Sequence, residues 1–259
     1  MSAPVRLATW NVNSLRVRLP HLKNWIAANP VDAIALQETK LPDPDFPREE
    51  VEALGFAAVF SGQRTYNGVA ILAKETPSDV VAGIPGFEDE QRRVLAATIA
   101  GVRVIDVYVP NGQAVGSEKY QYKLRWLDAL EGYVAAQLAR HPRLVVLGDY
   151  NIAPEDRDVH DPKAWEGSVH VSEPERAALR ALVDTGLEDC FRRFEQPEKS
   201  FSWWDYRMMA FRRNAGLRID LIVASRPLAE KCAACHIDEA PRRLERPSDH
   251  APVVADFDI

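Results

Sequence analysis

Residues 144–151, which read LVVLGDYN, constrain the fold more than any other stretch of the chain. Four consecutive apolar residues predict a strand that is buried on both faces, and Gly148 permits a tight bend where that strand ends. Asp149 and Asn151 follow two positions apart, so in an extended backbone both side chains project from the same side. This pair indicates either a site for a hard cation or a phosphate, or an ordinary Asx turn.

The composition is that of an ordinary globular protein. Of 259 residues, 46% are hydrophobic and 27% are charged, which fits one large domain over residues 1–259. No apolar run approaches the ~18 residues of a membrane span, and the first ten residues do not resemble a signal peptide. With only three cysteines as well, we expect a cytoplasmic monomer with no membrane partner. The net charge of −6 governs solubility, whereas local patches decide phosphate binding.

Hydrophobic periodicity predicts eight strands and four helices. The strands are residues 5–10, 32–37, 66–73, 94–99, 102–109, 143–148, 218–224 and 252–257. The helices are residues 19–29, 48–54, 117–140 and 173–185, the last opened by a capping box of Ser172 and Glu175. The polar residues 153–171 between them predict a long surface loop. Two separated groups of strands indicate two sheets packed face to face, with helices outside.

Polar residues recur where the predicted strands end. They are Asn11, Glu38, Tyr108 with Asn111, Asp149 with Asn151, and Asp249 with His250. Each has an ordinary structural explanation, but five such coincidences favour a functional site built from converging strand ends. Carboxylates and amide oxygens without cysteine suit Mg²⁺, with Mn²⁺ as a substitute, better than zinc.

Asp220 is predicted to lie inside an apolar strand, where an unpaired carboxylate is costly. His250 is one candidate partner, and a nearby arginine is the other. An Asp–His pair beside a metal and a tyrosine is suited to activating water and to stabilising a charged transition state.

These motifs carry a family resemblance. In order, NVNSLR, LQETK, YVPNG, LGDYN, LRIDLIVAS and PSDHAPVV resemble the motif series of the exonuclease III/AP endonuclease family, over nearly the whole chain. The resemblance implies a four-layer α/β/β/α sandwich of two mixed sheets. It also implies Mg²⁺-dependent cleavage of double-stranded DNA 5′ of abasic sites, with 3′-exonuclease or 3′-phosphatase activity at blocked or recessed ends.

The resemblance also implies roles for individual residues. Glu38 would bind the metal, assisted by Asn11 and Asp249, with Asp149, Asn151 and His250 also within reach of it. Asp149 would orient or deprotonate the attacking water, and Asn151 would hold the phosphate. His250, oriented by Asp220, would contact the scissile phosphate beside Tyr108. Either Asp149 or His250 is the general base.

Residues 192–218 support a nucleic-acid substrate independently. Seven basic side chains stand against three acidic ones there, interleaved with the aromatic residues Phe201, Trp203, Trp204, Tyr206 and Phe211. Basic groups track phosphates, while aromatics stack on bases or line a pocket for a base-less sugar. The candidate substrate contacts are Asn111, Trp203, Trp204, Arg207, Leu217 and Ile219, of which Trp203, Leu217 and Ile219 would form the pocket. At least two of the aromatics should instead anchor the segment in the core.

Two further patterns in the sequence have ordinary explanations. Residues 232–236 fit the C-x-x-C-H haem pattern, but without an export signal they are better explained as ordinary residues near a strand. Residues 248–250 lack the G-x-S-x-G elbow of a serine hydrolase. The open functional alternatives are a 3′-end-processing enzyme with little abasic-site incision, a phosphoesterase for phosphorylated lipid or inositol, and a catalytically inactive DNA-binding module.

Overall fold

The computed structural model describes residues 4–259, which form twelve strands and six α-helices. The strands are β1 (Val5–Asn11), β2 (Ala33–Gln37), β3 (Ala57–Ser61), β4 (Val69–Ala73), β5 (Ser78–Ala82), β6 (Val94–Ile99), β7 (Val102–Tyr108), β8 (Leu144–Asp149), β9 (Leu187–Asp189), β10 (Asp220–Ser225), β11 (Cys232–Ile237) and β12 (Val253–Phe257). The helices are α1 (Leu15–Ala28), α2 (Arg48–Glu52), α3 (Glu118–Leu138), α4 (Pro162–Trp165), α5 (Glu173–Asp184) and α6 (Arg226–Ala229).

The strands form two six-stranded mixed sheets. Their orders are β11-β12-β1-β2-β4-β3 and β5-β6-β7-β8-β10-β9. Within each sheet one central pair is parallel, β1 with β2 and β7 with β8, and the remaining pairs are antiparallel. The two sheets therefore share one plan, with a parallel pair at the centre of each.

Three apolar layers hold the sandwich together. One lies between the sheets and includes Leu7, Ile71, Val104 and Val145. A second packs α3 and α5 on the outer face of one sheet, and a third packs α1 and α2 on the outer face of the other. The predicted α/β/β/α sandwich is confirmed.

The eight predicted strands are all present; 94–99 matches at both ends, and the others are shifted by at most three residues at an end. Helix α1 begins at Leu15 rather than at residue 19, and Pro20 lies inside it. Because proline is usually found in the first turn of a helix, it is a misleading start signal here. Helix α5 has the predicted capping box, with Ser172 and Glu175 exchanging bonds with each other's backbone N–H.

The prediction that residues 153–171 form a surface loop is only half right. The segment contains α4 and a 3₁₀ turn at Asp156–Asp158, and three of its apolar residues are buried. Ala153, Val159 and Val171 pack against Leu217 and Ile219 in a small separate core. These apolar residues are too widely spaced among polar ones to give a recognisable period.

Candidate active site

The site forms at one edge of the sandwich, where strands from both sheets end. The parallel strands β1 and β2 deliver Asn11 and Glu38 there, and β7 and β8 deliver Tyr108 and Asp149. Because β10 and β12 run antiparallel to these strands, they begin at the same edge, which is where Asp220 and His250 lie. Within each sheet, convergence of the strand ends thus follows directly from the topology.

Glu38, Asp149 and His250 form the centre of the site. Each offers one ligand atom, and these atoms lie within 4.8 Å of one another. Glu38 has a positive φ of 54°, a conformation that non-glycine residues adopt at some cost. This cluster can hold a metal ion, and its carboxylate oxygens are hard ligands of the type that Mg²⁺ accepts.

Asn11 bridges the two carboxylates through its amide nitrogen. Nδ2 donates to Glu38 Oε1 and to Asp149 Oδ2, both at 2.9 Å, while Oδ1 accepts a bond from the backbone N–H of Asn13 at 3.0 Å. Lys40 Nζ lies 2.8 Å from Glu38 Oε2. Lys40 was not among the predicted site residues, although it stands in the motif LQETK.

His250 is held by Asp220. Its Nδ1 lies 3.0 and 2.9 Å from the two Asp220 oxygens, and its Nε2 lies 3.8 Å from Asp149 Oδ2. Ser202 Oγ donates to Asp220 Oδ2 at 2.6 Å, so this carboxylate has hydrogen bonds to both Ser202 and His250. Of the two partners considered for Asp220, histidine is the one present. No sequence signal pointed to Ser202.

The electrostatics separate the two candidate bases. Burial lowers the pKa of His250, but the carboxylates of Asp220 and Asp149 outweigh burial and raise it to about 10. Burial raises the pKa of Asp149 to about 7, against the lowering effect of His250. Near neutral pH, His250 is a cation and Asp149 is poised to exchange a proton.

Tyr108 lies beside this cluster at the end of β7. The Arg93 guanidinium lies 4.5 Å from the centre of its ring, and Arg93 Nη1 donates to Tyr108 O at 3.1 Å. Burial, followed by the negative charge of Glu38, raises the pKa of the Tyr108 hydroxyl well above its ordinary value. The hydroxyl therefore stays protonated and can donate a hydrogen bond.

Asn151 and Asn111 meet at the site, as predicted. Asn111 Nδ2 lies 3.4 Å from Asn151 Oδ1 and 3.3 Å from His170 Nε2. His170 is buried and comes from the 153–171 segment, which carried no readable signal in the sequence.

Asp249 lies apart from the three-residue cluster. Asn13 Nδ2 donates to Asp249 Oδ1 at 2.9 Å, and Trp203 Nε1 donates to Asp249 Oδ2 at 3.0 Å. Both oxygens already have donors, and Asp249 does not share the ligand geometry of Glu38, Asp149 and His250. These contacts fit a role for Asp249 in holding Trp203.

The predicted sugar pocket is closed. Leu217 is 0% exposed and Ile219 is 2% exposed, and the partly buried Trp203 and Trp165 pack over them. Trp165 belongs to α4, a helix that the sequence pattern did not predict. Leu217 and Ile219 consequently belong to a small core. Of the three residues predicted to form the pocket, Trp203 is the partly accessible one.

The basic aromatic segment is more structural than predicted. Phe201 and Trp204 are fully buried, which confirms that at least two aromatics anchor it, and Trp204 Nε1 donates to Asn214 Oδ1. Trp204 therefore does not fit the predicted substrate contact. Arg207 is exposed but pairs with Asp205 at 2.7 Å.

Three of the seven basic residues of this segment are also neutralised by acidic residues. Arg192 and Arg218 pair with Asp158, and Arg218 also lies 2.7 Å from Asp189. Arg193 pairs with Glu188. The excess of positive charge within residues 192–218 is therefore partly offset in the fold by carboxylates from outside the segment, Asp158, Glu188 and Asp189.

The C-x-x-C-H residues belong to strand β11, at the edge of its sheet. Cys232 and Cys235 are free thiols buried in the layer between the sheets, and His236 is exposed. This agrees with the ordinary structural explanation of the pattern.

Comparison with known proteins gives consistent matches. The model of the Endonuclease/Exonuclease/phosphatase family matches residues 8–250. Exodeoxyribonuclease III of Haemophilus influenzae is 36% identical over 98% of this chain and 100% of its own. A 3′ phosphatase from Neisseria, NExo, solved with a product DNA hairpin, is 47% identical with a TM-score of 0.97, covering 98% of this chain and 100% of its own. An AP endonuclease from Archaeoglobus fulgidus is 41% identical with a TM-score of 0.95 and the same coverage.

The chain belongs to the endonuclease/exonuclease/phosphatase family. Within it, the protein is of the exonuclease III/AP endonuclease type, a hydrolytic phosphodiesterase and a DNA-repair nuclease. Within residues 4–259, no helix is both long enough and apolar enough to cross a membrane.

Proposed function

We propose that the protein is a Mg²⁺-dependent phosphoesterase that acts mainly at the 3′ ends of duplex DNA, where it removes 3′ phosphates and terminal nucleotides. The observation that carries this choice is the closed pocket, since Leu217 and Ile219 are buried beneath Trp203 and Trp165. A base-less sugar could contact neither side chain unless the residues packed against them moved. The 47% identity to a 3′ phosphatase of Neisseria supports the same choice.

The residues divide the chemistry between them. Glu38, with Asp149 and Asn11 beside it, would hold Mg²⁺, which neutralises phosphate charge and polarises the phosphoryl group when bound. Asp149, buried beside His250, accepts the proton of the attacking water. His250, kept protonated by Asp220, stabilises the negative charge on the phosphate oxygens.

A nucleic-acid substrate is supported by the surface beside the site. A groove of about 540 Å³ is lined by Lys40, Arg16 and Arg64, and also by Asp45, which pairs with Arg16. In residues 192–218, Met208 and Met209 are 76% and 65% exposed, and both have a positive φ. Cationic side chains can bind the phosphates of DNA, and exposed apolar side chains can contact its bases. This surface therefore suits DNA better than a small inositol phosphate.

Abasic-site incision is the second candidate. It is favoured by the 41% identity and TM-score of 0.95 to an archaeal AP endonuclease. It requires Trp203 or Trp165 to move away from Leu217, so we expect it to be slower than the reaction at 3′ ends.

The decisive experiment compares three duplexes: one with a recessed 3′ phosphate, one with a recessed 3′ hydroxyl, and one with an internal abasic-site analogue. Each is incubated with Mg²⁺ or with EDTA. We expect Mg²⁺-dependent release of phosphate and nucleotides from the first two to exceed incision of the third. Asp149→Asn should lower kcat about 100-fold or more, because the proton acceptor is lost.

Faster incision at the abasic analogue would reverse the order of the two candidates. Cleavage of none of the three duplexes would exclude a DNA substrate. Turnover of an inositol phosphate by the same preparation would then favour the small-molecule alternative.

A further inference from the structure

Lys123 of α3 is a fully buried lysine outside the proposed chemistry. Its side chain is 0% exposed, and a buried ammonium is costly unless all of its donors are used. Nζ pairs with Glu175, and it donates to Asn151 O at 2.7 Å and to Asn111 O at 3.2 Å. Its three donors thus meet one carboxylate and two main-chain carbonyls, both in loops of the site.

Asn151 needs such support because its backbone is in the left-handed region, with φ at 50°. Its carbonyl oxygen accepts from Lys123 and, at 2.6 Å, from Nδ1 of His170. On the opposite side its N–H donates to Asp149 Oδ1 at 2.9 Å, and its Nδ2 donates to Val109 O at 3.0 Å. The peptide group and the side chain are therefore held from both sides.

The tautomer of His170 is fixed by the same network. Its Nε2 faces the amide nitrogen of Asn111, which is a donor, so Nε2 must be the acceptor and Nδ1 must carry the proton. Burial, followed by the charge of Lys123, lowers the pKa of His170 to about 4. The ring is consequently neutral at physiological pH and donates to Asn151 O.

Glu175 fixes the other end of the network. It accepts from the backbone N–H of His170 at 3.0 Å and from that of Ser172 at 3.2 Å, at the start of α5. The counter-ion of Lys123 is therefore part of a helix cap and cannot move independently of α5.

We propose that Lys123, with Glu175 as its counter-ion, is a positioning residue that holds the carbonyls of Asn111 and Asn151, so that both amide side chains stand at the substrate phosphate. The part of this proposal that has the Asn111 and Asn151 amides bind a substrate phosphate rests on the proposed function. The alternative is a purely structural ion pair between α3 and α5, with no effect on the site.

The double variant Lys123→Met/Glu175→Gln distinguishes the positioning role from the purely structural ion pair. Removing one partner alone leaves an uncompensated buried charge, whereas removing both leaves none. Because glutamine keeps only one of the two acceptor oxygens that Glu175 offers to His170 and Ser172, we expect the double variant to recover part of the Tm lost by Lys123→Met. We expect its kcat on the 3′-phosphate duplex to stay about ten- to a hundredfold low, with KM changed less than about twofold. Recovery of kcat together with Tm would overturn the proposal.

Arg103→Met is the matched control. Arg103 is also a buried cation, 3% exposed, and it donates to Gln137 Oε1 and Asp79 O at the opposite end of β7. We expect it to lower Tm while leaving kcat unchanged. A comparable loss of kcat in this variant would mean that any buried-charge defect disturbs the site, which contradicts a specific role for Lys123.

A crystal structure of the double variant tests positioning without any substrate. We expect the Asn151 backbone to leave the left-handed region and the hydrogen bond from its N–H to Asp149 Oδ1 to break. An unchanged Asn151 would refute the proposal. If the wild-type protein cleaves no DNA, the proposed function fails while this structural test still stands. If the double variant does not fold, Lys123→Arg, which keeps the charge but not the tetrahedral donor geometry, takes its place with the same readouts.

Discussion

At the scale of single residues, the Asp220–His250 pair makes the sharpest prediction. Because the folded-state pKa of about 10 exceeds the ordinary value of 6.5, protonated His250 stabilises the fold fully below pH 6.5, and this contribution is lost as pH rises towards 10. Asp220→Asn removes the largest of the contacts that raise this pKa. We expect the basic limb of the kcat/KM profile to move at least about one unit lower.

The pH–rate profile of Asp32→Asn provides the control. Asp32 accepts from the backbone N–H of Arg6 at the far end of β1 and β2. Its profile should coincide with that of the wild type. An unchanged basic limb in Asp220→Asn would show that His250 does not set it.

The site residues that the sequence predicted best are charged residues that adjoin apolar strands. Asp220 and Asp149 are carboxylates beside apolar runs, and such residues require an explanation in terms of a partner or a site. Lys123 and His170 gave no signal, because a lysine in a helix and a histidine in a polar segment are normally solvated. Their importance comes from burial, which only the packing of α3 against α5 creates.

At the scale of elements, burial separates the strands that were predicted from those that were missed. The missed strands are β3, β5, β9 and β11, and these are the four edges of the two sheets. An edge strand is short and partly exposed, so it lacks the apolar run that identifies a central strand. Strand β5, for example, has four exposed residues out of five. The central strands that carry the site were all predicted.

Gly148 is the element-scale position where substitution should do most harm. Its φ is +148°, and a Cβ there would lie 1.9 Å from the carbonyl oxygen of Val107 in the adjacent parallel strand. We expect Gly148→Ala to reduce the free energy of unfolding by about 3 kcal/mol or more, measured by urea denaturation.

Gly132→Ala is the counterpart on α3. Gly132 lies within the helix, and a methyl group added there would have no atom within 4 Å beyond its chain neighbours and the nearby backbone of its own helix, so alanine removes only backbone freedom. We expect it to stabilise the protein by about 0.5–1 kcal/mol. If Gly148→Ala proved equally harmless, the bend that presents Asp149 would not depend on glycine.

At the scale of the whole molecule, the site joins the two sheets. Glu38 follows β2 in one sheet, and Asp149 ends β8 in the other, yet their ligand atoms lie within 4.8 Å. Asn11 of β1 already bridges them by hydrogen bonds. The sequence could predict which strand ends carry ligands, but not this closeness, because the distance depends on how the two sheets pack. That a single domain spans the whole chain stays a prediction.

A cation shared by Glu38 and Asp149 would link the two sheets, so its binding should stabilise the whole fold. At Mg²⁺ a hundredfold above its Kd, the expected gain is about 2.7 kcal/mol. For a chain of this size, that corresponds to a rise in Tm of roughly 5–10 °C. Glu38→Gln should abolish most of the rise, whereas Glu52→Gln, a change at an exposed carboxylate of α2, should leave it intact. An equal rise in Tm for Glu38→Gln and the wild type, measured by calorimetry with and without EDTA, would mean that Mg²⁺ acts elsewhere on the protein.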